Sequence, residues 1–226
     1  MSAEHTGARP PAQLTERAWL PHSGTPRVTG GLRAPVASEE DIMALQTAAS
    51  LENLAVSAYR AAARLPFIGN GNRTVVEFIA RTTRHHEEHA KAFNAAVTRA
   101  GGRAQTGTDP KYAAVVRKAL PTLRTPGDVV GLAISLEDVA AQTYTKNIGQ
   151  VSSASLRRLF GSVAPVEAQH RATLLVVRAL LAAGDERLIA RPTDAGELPA
   201  AVGSVGFPDA FQSTADASPV AEGAIR

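Results

Sequence analysis

The stretch Val166-Glu167-Ala168-Gln169-His170 lies inside the longest segment of the sequence with helical apolar periodicity. Glu167 and His170 are three residues apart, so on a helix both side chains leave the same face. Four apolar residues share that face: Val163, Leu174, Val177 and Leu181. The face is therefore predicted to be buried, and a buried carboxylate and imidazole need partners, because burying an unpaired charge is costly. The stretch predicts a polar cluster whose other members come from elsewhere in the chain.

The composition favours a helical protein. The chain has 226 residues and is 44% hydrophobic, rich in Ala and only 4% aromatic, which favours helices over strands. The net charge is +3 and the basic residues are dispersed, so no nucleic-acid partner is expected. The absence of cysteine excludes disulfides, thiolate metal sites and thiol catalysis. No apolar run reaches the roughly 18–20 residues of a membrane span, so no membrane partner is expected.

Three regions are predicted. Residues 1–37 are rich in Pro, Gly and Ser without an apolar stripe, which is typical of a disordered or surface-draped arm. Residues 38–184 carry the helical periodicity, and residues 185–226 form an irregular tail in which residues 206–211 are a candidate for docking onto the helices. The N-terminus has neither an apolar signal core nor a twin-arginine pair, so a cytoplasmic location is expected.

Four long helices are predicted within the central region. They span, approximately, residues 38–65, 73–100, 126–148 and 153–183. The first begins at a capping Ser38 followed by acidic residues. A crossover of residues 103–125, with a short helix near 111–119, separates the second helix from the third. Pro165 predicts a kink or bulge one turn before Glu167.

The first and third predicted helices repeat one pattern. Residues 50–55 have the sequence SLENLA and residues 135–140 have SLEDVA, so Glu52 and Glu137 occupy equivalent places. A tyrosine follows each glutamate after seven residues, about two helical turns, and so shares its face. These tyrosines are Tyr59 and Tyr144.

The second and fourth predicted helices carry a matching pair of polar residues. His86-x-x-His89 in the second corresponds to Glu167-x-x-His170 in the fourth. The single glutamate precedes its pair by 34 residues in the first hairpin and by 30 in the second. The chain therefore contains two helical hairpins of one design.

With this pattern the chain resembles the ferritin-like and rubrerythrin-like di-iron carboxylate proteins, and most closely ferritin-like domain proteins of the actinobacterial type. That family takes one glutamate from each of two helices and Glu-x-x-His from each of the other two. The resemblance covers about residues 38–184. It implies an all-α, antiparallel four-helix bundle, and the long crossover between helices two and three predicts up-down-down-up connectivity. The implied metal ligands are Glu52, His86, His89, Glu137, Glu167 and His170.

One position departs from the family pattern. His86 stands where the family has glutamate, so four carboxylates and two histidines become three and three. Carboxylates bridge and neutralise two divalent metals in a way that histidine cannot, so a mononuclear or asymmetric site competes with a dinuclear one. The extra imidazole is also more compatible with Zn, Cu or Ni. Its neighbours His85, Glu87 and Glu88 could substitute if the helix rotates or bulges. By the apolar stripe, however, Glu87 and Glu88 are expected to point away from the site, and His85 is expected on the surface.

The resemblance implies redox chemistry at a buried centre. The expected metal is Fe(II), two ions if the centre is dinuclear, with Mn or Zn as alternatives, and the expected oxidant is dioxygen or peroxide. His89 and His170 would cap the metals. Tyr59 and Tyr144 are either core residues hydrogen-bonded to buried glutamates or redox relays. Iron oxidation or peroxide detoxification is favoured over attack on an organic substrate, because no second pocket is evident in the sequence.

Two other functions stay open. One is a structural or vestigial metal site in a bundle that acts in partner binding or stress protection without turnover. The other is a cage-forming iron store, which the long tails and the lack of an acidic mineral-nucleating run disfavour. A homodimer is expected instead.

Overall fold

The computed structural model describes residues 37–184, Ile189 and residues 216–225, and all regular elements within these residues are helices. They are α1 (Glu39–Ala63), α2 (Pro66–Gly69), α3 (Arg73–Arg99), α4 (Pro110–Ala119), α5 (Pro126–Gln150) and α6 (Ala154–Ala183), with a 3-10 turn, Leu120–Thr122, after α4. The predicted all-α fold is confirmed, and the four long helices end within two residues of their predicted bounds. The predicted N-terminal arm and the docking of residues 206–211 lie outside the described residues.

Local signals in the sequence set the helix ends. The Ser38 hydroxyl accepts from the Asp41 amide, and the Asp41 carboxylate accepts from the Ser38 amide, so a complete capping box begins α1. Thr125 and Asp128 form the same box at the start of α5. Helix α6 continues through Pro165 and ends at Gly184, whose φ of 72° is a left-handed conformation that favours glycine.

The four long helices form two hairpins that pack together. Helix α1 packs on α3 and α5 packs on α6, and further contacts join α1 to α5 and α3 to α6. The Ser152 amide and hydroxyl, just before α6, donate to Asp41 at the start of α1 (2.8 and 2.5 Å). Gly102, just after α3, lies against Ile42 at the same end. Helices α1 and α6 therefore run in one direction and α3 and α5 in the other, which is the predicted connectivity.

The C-terminal segment 216–225 packs back onto the bundle. The Thr47 hydroxyl donates to the Val220 carbonyl (2.7 Å) and accepts from the Gly223 amide (3.1 Å), while the Ile225 amide donates to the Gln46 side chain (3.1 Å). Only glycine fits at position 223, because a Cβ there would lie 2.1 Å from the Ser50 hydroxyl. This segment therefore supplies hydrogen-bond partners to the buried side chains of Gln46 and Thr47 in the first half of α1.

The core contains two large apolar clusters, one toward each end of the bundle, and a small third one where α4 packs on α1. The first includes Leu45, Phe93, Tyr144 and Phe160. The second includes Tyr59, Ile79, Val130 and Leu174. On every long helix, buried polar residues lie between the two clusters. Within the described part of the chain, no helix is both long and apolar enough to cross a membrane.

Candidate metal centre

All four long helices contribute to one buried polar cluster. Helix α1 supplies Glu52, α3 supplies His86 and His89, α5 supplies Glu137, and α6 supplies Glu167 and His170. Five of these residues are buried, and the His89 side chain is 14% exposed. The structure thus brings together every residue that the repeat predicts as a ligand.

The cluster divides into two overlapping groups of four residues. The first group consists of Glu52, His86, His89 and Glu167. The second group consists of His86, Glu137, Glu167 and His170. Within each group, one nitrogen or oxygen per residue lies within 4.8 Å of the others, a spacing that suits a shared metal ion. His86 and Glu167 belong to both groups, so the cluster has two lobes with a common centre.

In the first lobe the donor atoms are already close to one another. Glu167 Oε1 lies 2.7 Å from His89 Nδ1, and Glu52 Oε1 lies 3.6 Å from the same nitrogen. His86 presents Nδ1 to this lobe, 2.7 Å from Glu52 Oε2.

In the second lobe the histidine nitrogens face two carboxylates. His170 Nδ1 lies 3.3 Å from Glu137 Oε2 and 3.3 Å from Glu167 Oε2. His86 presents its other nitrogen here, with Nε2 at 3.3 Å from Glu137 Oε1. One imidazole therefore faces both lobes through opposite edges of its ring.

Two buried atoms in the first lobe converge without forming a hydrogen bond. His89 Nδ1 and Glu167 Oε1 are 2.7 Å apart, yet neither has a well-directed hydrogen-bond partner within the described residues. Buried polar atoms in native proteins are almost always satisfied. Both atoms belong to one of the groups whose ligand atoms lie within 4.8 Å of one another, so this donor set fits a metal.

Two tyrosines support the cluster from outside. The Tyr59 hydroxyl donates to Glu137, and the Tyr144 hydroxyl donates to Glu52 at 2.6 Å. Each tyrosine therefore reaches across to the glutamate of the other hairpin. The predicted hydrogen bonds to buried glutamates are present, whereas the role of either tyrosine as a redox relay stays a prediction.

The position of His85 corrects the sequence-based expectation. It was expected on the surface, but it is half-buried, and its ring stacks on His170 with Nδ1 at 2.9 Å from His170 Nε2. One residue is about 100° of helical turn, so His85 lies at the edge of the buried face and is covered by α6. Glu87 and Glu88 point away as predicted, and Glu87 pairs with Arg60 at the surface.

Charge and burial act in opposite directions on the histidines. Burial alone would lower the pKa of His89, but the neighbouring Glu167 and Glu52 raise it to about 9. Burial likewise opposes ionisation of His170, while Glu137 and Glu167 raise its pKa to about 9. Without metal, these imidazoles therefore hold protons that balance the buried carboxylates at neutral pH.

The carboxylates respond unequally to the same environment. Burial raises the pKa of Glu137, but the charge on His86 and the hydrogen bond from His170 outweigh it and hold this pKa well below its usual range. The pKa of Glu167 is raised instead, because burial and the charge of Glu52 both disfavour its ionised form. Burial and the charge on His170 lower the pKa of His85, which favours a neutral ring that accepts the proton on His170 Nε2.

An apolar cavity of about 210 Å³ adjoins the cluster. Tyr59 lines it, and so do Ile79, Ala133 and Leu174, which lie one or two helical turns from the polar residues. The sequence contains no sign of this second pocket. A cavity depends on which side chains meet across different helices, and no single segment carries that information.

Comparison with protein families agrees with the helical fold. A family model described as a ferritin-like domain matches residues 40–182, which spans all four long helices and the six polar residues. No curated protein and no solved structure matches the chain.

Proposed function

The chain belongs to the ferritin-like domain family, and from this premise we propose that the buried cluster binds two divalent metal ions, one in each lobe, and serves their oxidation by dioxygen or peroxide. Fe(II) is the preferred ion and Mn(II) the alternative. Bound iron or manganese would supply the one-electron chemistry that amino-acid side chains lack.

The observation that carries the proposal is the convergence of His89 Nδ1 and Glu167 Oε1. These buried atoms lie 2.7 Å apart without a well-directed hydrogen bond. Both atoms belong to a group of four ligand atoms, from Glu52, His86, His89 and Glu167, that lie within 4.8 Å of one another. A carboxylate oxygen and an imidazole nitrogen gathered in this way suit a shared divalent ion once the imidazole has released its proton.

The proposal assigns distinct tasks to the protein groups. Glu52 and His89 hold the ion of the first lobe, and Glu137 and His170 hold the ion of the second. Glu167 is shared, because its Oε1 faces His89 and its Oε2 faces His170. Carboxylates at the centre are the groups that neutralise two divalent charges.

Outer groups fix the ligands in place. The neutral His85 accepts from His170 Nε2, which leaves His170 Nδ1 free to face the metal. The tyrosine hydroxyls occupy one oxygen each of Glu52 and Glu137 and so limit the rotation of those carboxylates. The apolar clusters on either side exclude bulk water from the centre.

A non-catalytic metal site is the second candidate function. His86 favours it, because its two nitrogens already lie 2.7 Å from Glu52 and 3.3 Å from Glu137. An imidazolium in this position balances much of the negative charge that a second metal would otherwise balance. In this alternative the bundle holds one ion, which stabilises the fold without turnover.

The test is metal analysis coupled to an oxidation assay. Purified full-length protein is loaded anaerobically with Fe(II), freed of excess metal and analysed for iron, and ferric absorbance is then followed after exposure to air. Glu137→Gln should lower the iron content and the oxidation rate. Glu88→Gln is the matched control, because Glu88 is exposed on the same helix as His86. Absence of bound iron, or oxidation no faster than in buffer, would reject the redox function, and one bound ion without turnover would support the alternative.

A further inference from the structure

The apolar cavity lies between the helices on the Tyr59 side of the polar cluster and is partly open to solvent. Its volume is about 210 Å³, and all four long helices line it. Among the described residues that form its wall there is no charged side chain. The chemistry of the lining therefore selects an uncharged, apolar occupant.

The internal repeat shows how the cavity arises. Tyr59 and Tyr144 are equivalent in the repeat and lie 85 residues apart, as Glu52 and Glu137 do. At the Tyr144 end two phenylalanines fill the space beside the ring: Phe93 and Phe160, with ring centroids 5.2 and 6.0 Å from it. This end of the bundle is solidly packed.

The equivalent positions at the Tyr59 end are smaller. His89 and His170 are equivalent in the repeat and lie 81 residues apart. By the same spacing, Leu174 is equivalent to Phe93, and Ile79 is equivalent to Phe160. Both aliphatic residues line the cavity. Two aromatic rings at one end of the duplicated bundle are thus replaced by aliphatic side chains at the other, and the cavity occupies the space beside them.

An apolar lining of this kind favours apolar molecules over water. An engineered apolar cavity of about 150 Å³ in another protein stays dry and binds benzene. The present cavity is larger and has a similar lining. An empty cavity also lowers stability, so an occupant that fills it would stabilise the fold.

The cavity shares a wall with the polar cluster. Tyr59 lines the cavity while its hydroxyl donates to Glu137. Phe78 also lines it, and the Phe78 ring lies edge-on to the His170 ring at 6.4 Å. A molecule in the cavity would contact two residues that in turn touch the cluster. Because the Tyr59 hydroxyl is already bonded, the ligand gains no polar anchor there.

We propose that this cavity is a binding site for an uncharged apolar small molecule, somewhat larger than benzene, packed against the Tyr59 ring. The proposal concerns binding alone and does not rest on the redox function. It adds an organic ligand to a protein whose sequence suggests only metal and oxidant.

The experiment titrates full-length protein with benzene, toluene and n-butylbenzene by calorimetry, with the thermal midpoint measured in parallel. We expect saturable binding of one molecule per chain, a negative heat-capacity change from apolar burial and a raised midpoint. The same titration on metal-free protein and a separate metal analysis keep the two proposals apart. If the probes bind and metal does not, only the metal proposal fails.

Two variants fill the cavity, each with the residue that the repeat has at the other end. Ile79→Phe and Leu174→Phe should each weaken probe binding by roughly tenfold or more, with metal content unchanged. Leu159→Phe is the matched control, because Leu159 is half-buried on the same helix outside the cavity and its substitution should leave binding unchanged. If one filled variant does not fold, the other carries the comparison, with Leu174→Met as a smaller replacement. Absence of saturable binding to the wild type, or equal binding to the wild type and the filled variants, would overturn the proposal.

Discussion

His86 Nδ1 lies 2.7 Å from Glu52 Oε2, in a contact that is almost completely buried. The contact ties the centre of the cluster to the first lobe, while the opposite edge of the same ring faces the second lobe. A single imidazole thus stands at a position shared by both ligand groups. The charge of the side chain at this position therefore determines how metal binding responds to pH and to mutation.

Replacing His86 by glutamate should strengthen metal binding. His86→Glu restores four carboxylates and supplies a side chain that can bridge two divalent ions. We expect the affinity for Fe(II) or Mn(II) to rise by about tenfold or more, since hard oxygen ligands suit these ions. Competition with a chelator measures the affinity, and His86→Gln serves as a control for the loss of the imidazole. A lower metal content in His86→Glu than in the wild type would contradict the shared position of this residue.

Removing the outer hydroxyls should weaken metal binding without unfolding the protein. Tyr59→Phe and Tyr144→Phe each take one hydrogen bond from a buried glutamate and leave the ring in place. Loss of such an outer-shell partner typically reduces metal affinity or activity by about 10–100-fold. Affinity is measured by chelator competition, and circular dichroism verifies folding. Unchanged affinity in both variants would mean that the tyrosines serve packing alone.

The metal-free protein should lose stability as pH rises from 6.5 to 9. His89 and His170 have pKa values of about 9 in the fold, against an ordinary value of 6.5. Between these limits the folded chain keeps protons that the unfolded chain has released, so the free energy of unfolding falls with rising pH. Urea denaturation at several pH values measures this, and the double variant His89→Gln, His170→Gln should make the profile less steep, with the remaining slope due to His86, whose pKa is also raised. A wild-type profile that stays level or rises over this interval would refute the protonated cluster.

Metal binding near pH 7.5 should release protons. His89 and His170 must be unprotonated at Nδ1 to bind an ion, so at least two protons per chain should leave when both lobes fill. Burial opposes ionisation of His86, but Glu137 and Glu167 raise its pKa, so His86 adds a third proton if it also binds. Calorimetric titration with Mn(II) in buffers of different ionisation enthalpy counts them. Proton release close to zero would place the metal outside these two histidines.

Gly223→Ala should detach the C-terminal segment from α1. A Cβ at this position would lie 2.1 Å from the Ser50 hydroxyl. To relieve this clash the segment must move away from α1, which breaks the hydrogen bonds between Thr47 and the segment. We expect a loss of about 1–3 kcal/mol in the free energy of unfolding, the range typical of overpacking. Urea denaturation measures it, with the exposed Ala221→Ser as the control. A loss no larger than that of the control would show that the segment adapts freely.

Much of the fold could be predicted because its signals are local. The capping box at Ser38 and the terminal Gly184 mark helix ends within a few residues of sequence. The six cluster residues could be predicted for a related reason. The repeated pattern shows which face of each helix is buried. Polar residues that lie on these buried apolar faces must meet in the core. The expected homodimer and the cytoplasmic location stay predictions.

The remaining features depend on contacts between helices. His85 differs from His86 by one step around α3, so whether it is covered depends on the placement of α6. The cavity depends on Ile79 and Leu174, which lie on different hairpins and look like ordinary core residues in the sequence. Only the comparison with Phe160 and Phe93, the equivalent residues at the other end of the bundle, shows that these two side chains leave space unfilled.

The most direct test of the two-lobed centre is anomalous X-ray diffraction from crystals loaded with Fe(II) or Mn(II), recorded at the absorption edge of the metal. Two anomalous peaks are expected inside the bundle. One should lie beside Glu52 and His89, the other beside Glu137 and His170, with Glu167 adjoining both. A single peak, or no peak within the cluster, would contradict the two-lobed centre.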